Sequence, residues 1–278
     1  METVVLLHSS ASSGAQWRAL VAQLSGRYRV VAPDLYGYGA TPNWPGRGAF
    51  SLAHEAEIVH ALIGDAGEPA HLVGHSYGGA VALHVARLRG ERVRSLVLIE
   101  PVAFHLLTDI FEINALAESV ARAVACGDYS GGCRSFIDYW SGPGSWAALP
   151  AAKRDAMAPR LAKVALDFHA ALDEPAGVGD FRRMSVPTLI VQGARSPQPT
   201  RRICELLAGA LPDAWVKTID GAGHMAPLTH RDAVNAAITA HLESNSTQGG
   251  NHAAHYESGS DGFGTSGGRL REHRSSPR

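Results

Sequence analysis

Lysine and cysteine are both scarce in this chain of 278 residues. The three lysines, Lys153, Lys163 and Lys217, each follow alanine or valine, so the chain has no Gly-Lys-Ser/Thr phosphate-binding loop. The three cysteines are an odd number without Cys-x-x-Cys spacing, which predicts neither a disulfide framework nor a zinc ribbon. Such cysteine usage is typical of a reducing compartment, and we therefore expect a cytoplasmic protein.

An excess of one charge and a long apolar run are also missing. The 25 basic and 26 acidic residues give a net charge of −1, which is not suited to holding nucleic acid or an anionic membrane. No apolar run approaches the roughly 18 residues of a membrane span, and residues 1–7 lack the basic start of a signal peptide. Residues 54–58 read His-Glu-Ala-Glu-Ile and fail the His-Glu-x-x-His zinc motif, so we predict no metal.

Short apolar runs alternate with patterns that are typical of amphipathic helices. Trp17, Leu20, Val21 and Leu24 have the i, i+3, i+4, i+7 spacing of one helix face. This alternation predicts an α/β fold with a mostly parallel sheet of about six strands and helices on both faces. The predicted strands span residues 4–7, 29–32, 71–73, 96–99, 188–191 and 214–219.

One long segment interrupts the alternation. Residues 103–183 have helical patterns and no convincing strand, which predicts a helical cap inserted between two core parts, residues 1–102 and 184–243. Residues 244–278 are poor in apolar side chains and predict a disordered tail. Their Gly-x-Gly-x-x-Gly at 262–267 follows no strand, so we predict no dinucleotide cofactor. The helical stretches of the insertion carry aromatic residues, among them Phe104, Phe111, Phe136, Tyr139, Trp140, Trp146 and Phe168.

The chemistry-bearing motif is Gly-His-Ser-Tyr-Gly at residues 74–78. It follows a predicted strand and precedes a helical pattern, which is the setting of a nucleophile elbow. The glycines permit a sharp turn around Ser76, and the start of the following helix directs free N–H groups at the site. This context predicts Ser76 as a nucleophile rather than part of a glycine-rich structural turn.

With this elbow the chain resembles the α/β-hydrolase superfamily, specifically its compact esterase- and lipase-like group with a helical cap. The resemblance covers residues 3–242. Residues 4–10, Val-Val-Leu-Leu-His-Ser-Ser, resemble the strand that ends in the oxyanion loop. Residues 30–39 resemble the next strand and its turn, and Gly-Ala-Gly-His at 221–224 resembles the loop of the catalytic histidine.

The resemblance implies a role for each matching residue. His224 is expected to accept the proton of Ser76 and to return it to the leaving group. The backbone N–H groups of Tyr77 and Ser10 are expected to form the oxyanion hole. The family usually has glycine where this chain has Ser9.

The triad acid departs from the commonest family pattern. Many relatives place an aspartate a few residues after the strand that corresponds to residues 188–191. Here no carboxylate occurs from Gly193 to Cys204, and Ser196 occupies the expected position. Glu100, at the end of the strand after the elbow helix, is the predicted acid, as in some haloalkane dehalogenases. The alternative is a structural Glu100, with a water or Ser196 behind His224.

A serine hydrolase that cleaves a carboxylic ester through an acyl-enzyme is therefore expected. Ser76 at the elbow disfavours the dehalogenases and epoxide hydrolases that use aspartate there. Thioester, lactone, peracid or carbon–carbon bond chemistry on the same triad stays open, as does a non-catalytic ligand-binding protein. The expected partner is a small-molecule substrate, without nucleic acid and without a membrane span, and the oligomeric state is left open.

Overall fold

The computed structural model describes residues 1–247. Residues 248–278, which include the glycine motif at 262–267 and most of the predicted tail, lie outside the described residues. The strands are β1 (Thr3–Leu7), β2 (Arg29–Val31), β3 (Ala70–His75), β4 (Val93–Ile99), β5 (Thr188–Gly193) and β6 (Ala214–Ile219).

The helices flank and follow these strands, and short 3-10 turns occur between some of them. They are α1 (Arg18–Leu24), α2 (Leu52–Asp65), α3 (Tyr77–Leu88), α4 (Phe111–Cys126), α5 (Tyr129–Ser141), α6 (Ser145–Ala148), α7 (Ala151–Met157), α8 (Leu161–Leu172), α9 (Val178–Phe181), α10 (Gln198–Ala210), α11 (Ala226–Thr229) and α12 (Arg231–Ser244).

The strands form one sheet in the order β2-β1-β3-β4-β5-β6, and every pairing among them is parallel. Alternate side chains of each strand enter opposite faces, because successive residues of a strand point to opposite sides. Val5 and Leu7 pack with α2 and α3, whereas Val4 and Leu6 pack with α1 and α12. Both faces are thus covered, which confirms the predicted α/β architecture.

The segment between β4 and β5 contains α4 to α9, which we call the cap. It packs over the carboxyl ends of the strands and contributes Trp140 and Phe168 to the same apolar cluster as the sheet. The carboxyl ends of β1, β3 and β4 meet at one edge, since Leu7 pairs with Gly74 and His75 pairs with Ile99. Ligands of open parallel sheets bind at this edge.

The first residues of the predicted tail, 244–247, make contacts with the rest of the structure. α12 continues to Ser244, and Ser246 and Thr247 donate hydrogen bonds to the carboxylate of Glu2. The helix therefore includes Ser244, and two of the next three residues hydrogen-bond to Glu2, whose side chain is nearly buried. The composition of residues 244–247 does not reveal these contacts, because their acceptor lies at the other end of the chain.

Candidate active site

Ser76 occupies a strained turn between β3 and α3. Its φ of 55° and ψ of −116° are rare for a residue with a side chain. A Cβ on Gly74 would lie 2.2 Å from the carbonyl oxygen of Gly78, and a Cβ on Gly78 would lie 2.5 Å from that of His8. Glycine at both positions therefore permits the close approach of strand, turn and loop that presents Ser76 above the sheet edge.

His224 lies in the loop between β6 and α11, with its Nε2 atom 2.9 Å from Ser76 Oγ. The imidazole is 2% exposed. The indole of Trp140 covers it from the cap, with ring centroids 4.2 Å apart and an interplanar angle of 34°. The imidazole is thus held between the core and the cap and points at the elbow serine.

Glu100 lies directly after β4 and is fully buried. Its Oε2 is 3.3 Å from His224 Nδ1, while its Oε1 accepts hydrogen bonds of 2.6 Å from both the Gly193 N–H and the Ser196 hydroxyl. Burial alone would raise the pKa of Glu100, but the bonds from His224, Ser196 and Gly193 outweigh burial and lower it. An ionised carboxylate only accepts, so Nδ1 of His224 carries the ring proton and Nε2 is free to accept from Ser76.

His75 supports the backbone of His224. Its Nε2 donates to the His224 carbonyl oxygen at 2.9 Å, and its Nδ1 accepts from the Gln16 amide at 3.1 Å. The carbonyl oxygen of Gln16 in turn accepts from the N–H and hydroxyl of Ser9. Burial, and then the neighbouring His224, lower the pKa of His75 to about 3, so this ring is neutral across the physiological range.

The N–H groups expected to form an oxyanion hole come from two elements. Tyr77 is the first residue of α3, and Ser10 follows β1 in the loop beside the elbow. Within residues 1–247, neither backbone N–H has an acceptor. The first N–H groups of a helix carry a partial positive charge that favours an anion.

Two adjoining pockets reach Ser76 from the cap side. The smaller is bounded by Ser10, Ser76, Tyr77, Val102, Phe104, Phe136, Trp140, Asp167 and Phe168. The wider is also bounded by His224 and by apolar side chains such as Leu149, Met157 and Leu228. Substrate can therefore approach the serine between an aromatic wall and a wider apolar one.

The structure brings Ser76, His224 and Glu100 into one hydrogen-bonded line, with Ser10 and Tyr77 beside the serine. No sequence pattern distinguishes Gln16 from other polar residues, and Trp140 is only one of several aromatic residues of the insertion. Lys163 and Asp167 were also missed. Their i, i+4 spacing on α8 is a signal for an ion pair, but nothing in the pattern shows that the pair is buried against Ser10.

Two further findings apply to the described part of the chain. In residues 1–247, no group of three or more His, Cys, Asp or Glu side chains is arranged to hold a metal ion. Over the same residues, no helix combines the length and apolar composition needed to cross a bilayer.

Residues 4–237 match the model of the alpha/beta hydrolase family, and the chain therefore belongs to that family. The resemblance based on the elbow, the oxyanion loop and the histidine loop is thereby confirmed. The enol-lactonase of Burkholderia xenovorans LB400 has the same fold, with a TM-score of 0.71 and 20% identity, over 87% of this chain and 91% of that one.

Curated relatives differ in how much of their length the chain spans. It is 29% identical over 250 residues to polyketide synthase ThaQ of Burkholderia thailandensis, which is 86% of this chain but 12% of that protein. Two further matches span 36% of their proteins. The chain is 27% identical to the pimeloyl-[acyl-carrier protein] methyl ester esterase of Chromobacterium violaceum, over 86% of this chain and 94% of the relative.

Proposed function

We propose that the protein is a serine hydrolase that cleaves carboxylic esters through an acyl-enzyme intermediate. The observation that carries the proposal is the hydrogen-bonded line from Ser76 Oγ to His224 Nε2, 2.9 Å, and from His224 Nδ1 to Glu100 Oε2, 3.3 Å. A serine hydroxyl is a poor nucleophile until a neighbouring base takes its proton, and a third group must orient that base. The name of the Chromobacterium relative supports an ester as substrate.

Acylation begins when Ser76 Oγ attacks the carbonyl carbon and its proton moves to His224 Nε2. Glu100 stabilises the imidazolium that forms, and the face of Trp140 lies against the same ring. The tetrahedral oxyanion accepts hydrogen bonds from the N–H groups of Ser10 and Tyr77, each contributing about 3–4 kcal/mol. The C–O bond then breaks, and His224 gives its proton to the departing alcohol.

Deacylation repeats these steps with water as the nucleophile. His224 Nε2 takes a proton from water, the hydroxide attacks the acyl carbon, and Ser76 Oγ leaves with that proton. The carboxylic acid and the free serine are the products.

The test is labelling with a fluorophosphonate, which forms a covalent bond only with an activated serine. We expect the mass of the label on the peptide that contains Ser76. In a separate assay with a p-nitrophenyl ester, the unlabelled enzyme should release an initial burst of p-nitrophenol equal to the enzyme concentration when deacylation is the slower step. Ser76→Ala should abolish the label and lower turnover by at least about 10³-fold. Ser119→Ala is the matched control, because Ser119 lies on α4 in the cap and outside both pockets.

A panel of substrates separates ester hydrolysis from the related chemistries. p-Nitrophenyl esters, an acyl thioester and a dienoate ketone are assayed side by side, each with Ser76→Ala as the blank. A carbon–carbon bond hydrolase would turn over the dienoate ketone at least tenfold faster than every ester. An unlabelled, inactive and folded wild-type protein would instead indicate a ligand-binding member of the family.

We also propose a cytoplasmic location. It is supported by Cys126, Cys133 and Cys204, none of which forms a disulfide in the structure. Cell fractionation with an antibody tests it, and recovery of the protein outside the cytoplasm would contradict it.

A further inference from the structure

A buried cluster of charged side chains lies behind the elbow. It consists of Glu55, Lys163 and Asp167, and we call it the Lys163 cluster. The Lys163 ammonium donates to Glu55 Oε2 at 3.0 Å and to Asp167 Oδ1, and the three side chains are no more than 5% exposed. Lys163 and Asp167 belong to α8 in the cap, whereas Glu55 belongs to α2 in the core.

Aromatic rings fix the position of the ammonium. Lys163 Nζ lies 4.9 Å from the ring centroid of Tyr38 and 4.7 Å from those of Phe50 and Tyr77. Cations are attracted to the faces of such rings, most strongly where water is excluded. Burial raises the pKa of both Glu55 and Asp167, and the positive charge of Lys163 opposes that rise. The ammonium therefore stabilises the charged form of both buried carboxylates.

Each proposed oxyanion residue is tied to this cluster by its side chain. The hydroxyl of Ser10 donates to Asp167 Oδ2 at 2.6 Å, and the hydroxyl of Tyr77 donates to Glu55 Oε2 at 3.2 Å. Ser10 and Tyr77 come from different elements, the loop after β1 and the first turn of α3. One ammonium therefore connects the side chains of both residues, through one carboxylate each.

We propose that the Lys163 cluster positions the two oxyanion N–H groups and makes the alignment of the oxyanion hole depend on a docked cap. This inference rests on the proposed function, because the oxyanion role of Ser10 and Tyr77 belongs to it. Glu55 and Lys163 are positioning residues, since they act on the reacting atoms only through other side chains. Asp167 positions Ser10 and also bounds the smaller pocket.

The physical basis is the geometric demand of the transition state. An oxyanion hole accelerates reaction because its donors already lie where the negative charge develops. Ser10 lies in a loop, and its N–H has no acceptor within residues 1–247 to fix its direction. The bond from its hydroxyl to Asp167 supplies that constraint from the cap, and the bond from Tyr77 to Glu55 supplies it from the core.

The first test removes each tie and leaves the backbone donors in place. Ser10→Ala and Tyr77→Phe delete only a hydroxyl. We expect each to lower kcat for a p-nitrophenyl ester roughly 10-fold, a partial misplacement of a donor, with KM changed less than twofold. Ser13→Ala and Tyr36→Phe are matched controls, because Ser13 caps no helix with its side chain and Tyr36 bonds Glu55 only through its backbone.

A second readout reports on the oxyanion itself. Trifluoroacetophenone accepts Ser76 Oγ at its carbonyl carbon, the serine proton passes to His224, and the resulting hemiketal oxyanion occupies the hole. We expect its affinity to fall in the same proportion as kcat/KM in Ser10→Ala and Tyr77→Phe, since both depend on transition-state interactions. A merely structural role would change the melting temperature without this proportionality.

A third variant tests the centre of the cluster. Lys163→Met should lower kcat at least as much as either single hydroxyl deletion, and adding Ser10→Ala to it should cost less than Ser10→Ala costs in the wild type. If Lys163→Met does not fold, the two hydroxyl deletions decide the question alone. Wild-type kcat and inhibitor affinity in both Ser10→Ala and Tyr77→Phe would overturn the inference, as would a change in KM alone.

Failure of the inference and failure of the proposed function give different results. If the wild type reacts with a fluorophosphonate at Ser76 and hydrolyses esters, but both deletions behave like the wild type, only the positioning role is wrong. If the wild type neither reacts at Ser76 nor hydrolyses any ester, both are overturned.

Discussion

The hydroxyl of Ser196 donates a 2.6 Å hydrogen bond to Oε1 of Glu100. Ser196 stands in the turn where many alpha/beta hydrolases carry the triad aspartate, and Glu100 reaches the same place from the end of β4. The other oxygen of Glu100 faces His224 at 3.3 Å. The turn after β5 thus supplies a hydrogen-bond donor to Glu100, the proposed triad acid, and contains no carboxylate of its own.

This arrangement predicts a strong effect of Glu100→Gln. The amide keeps the size of the side chain but removes the charge that orients and stabilises His224, so kcat should fall by about 10²–10⁴-fold. Steady-state assays with one p-nitrophenyl ester measure the loss, and circular dichroism checks the fold. A variant that keeps more than a third of kcat would make Glu100 structural.

Ser196→Asp provides a matched pair of outcomes. In the Glu100→Gln background it returns a carboxylate to the turn beside His224, and part of the lost rate should return. In the wild type it places two carboxylates together, which should lower both kcat and the melting temperature because like charges repel in a buried site. Ser196→Asn, which adds no charge, should restore nothing.

Gln16 gives a second prediction. Its amide donates to His75 Nδ1, and His75 donates to the backbone oxygen of His224. Gln16→Glu cannot donate to Nδ1 and adds a negative charge beside it, so the pKa of His75 should rise from about 3. NMR titration of the histidine rings measures the shift, and kcat should fall roughly 10-fold as the His224 loop loosens.

The control for that variant is Gln23→Glu. Gln23 is exposed and bonds Thr239, far along the chain from the elbow. It should leave both the titration of His75 and kcat unchanged. A His75 signal that titrates identically in Gln16→Glu and the wild type would show that Gln16 does not control this ring.

The elbow, the six strands and the candidate acid could be predicted because each leaves a local trace in the chain. Glu100 followed from a missing carboxylate between residues 193 and 204 and from its place at a strand end. The strand bounds were less predictable. β4 begins at Val93 rather than at residue 96, because the ladder pairs the backbone of Val93 with Ala70 and that of Ser95 with His71, with a register shift at Arg94.

Contacts between distant segments left no such trace. Ser10 and Asp167 are 157 positions apart, and Trp140 reaches His224 only because α5 folds back over the sheet edge. A buried lysine between two carboxylates has the same sequence pattern as a solvated pair on a helix surface. Which of the two occurs is decided by the docking of the cap, and periodicity does not encode it.

The bonds at the end of the described chain give a third prediction, on stability against pH. Hydrogen bonds from Ser246 and Thr247, together with Arg94, outweigh the effect of burial and lower the pKa of Glu2 to about 2. A lowered carboxyl pKa contributes stability that is present above the unfolded value of about 4.3 and is lost as pH falls through the folded value. These bonds should therefore stabilise the protein at pH 7 and not at pH 2.

Two truncations measure that contribution. The chain ending at Glu243 lacks both donors, whereas the chain ending at Thr247 keeps them. At pH 7 the shorter chain should melt roughly 2–4 °C lower, and the difference should shrink as the pH approaches 2. Equal melting temperatures at pH 7 would mean that the bonds to Glu2 contribute nothing.

Phe168 should limit the length of acyl chain that the smaller pocket accepts. Its ring lies 5.9 Å from Phe104 and 6.1 Å from Phe136 between centroids, and it bounds the pocket without hydrogen bonding to the triad. Phe168→Ala opens that wall, and each additional buried methylene is worth about 0.8 kcal/mol, or roughly fourfold in kcat/KM.

The test of Phe168 is the ratio of kcat/KM for the octanoate p-nitrophenyl ester to that for the butyrate ester. This ratio should rise at least about 10-fold in Phe168→Ala, while Phe111→Ala, on an 82% exposed cap residue, should leave it unchanged. The cavity left by Phe168→Ala also destabilises the core, so Phe168→Leu is measured as a second variant. Phe168→Leu should raise the same ratio by a smaller factor. An unchanged ratio in both folded variants would mean that acyl chains occupy the wider pocket instead.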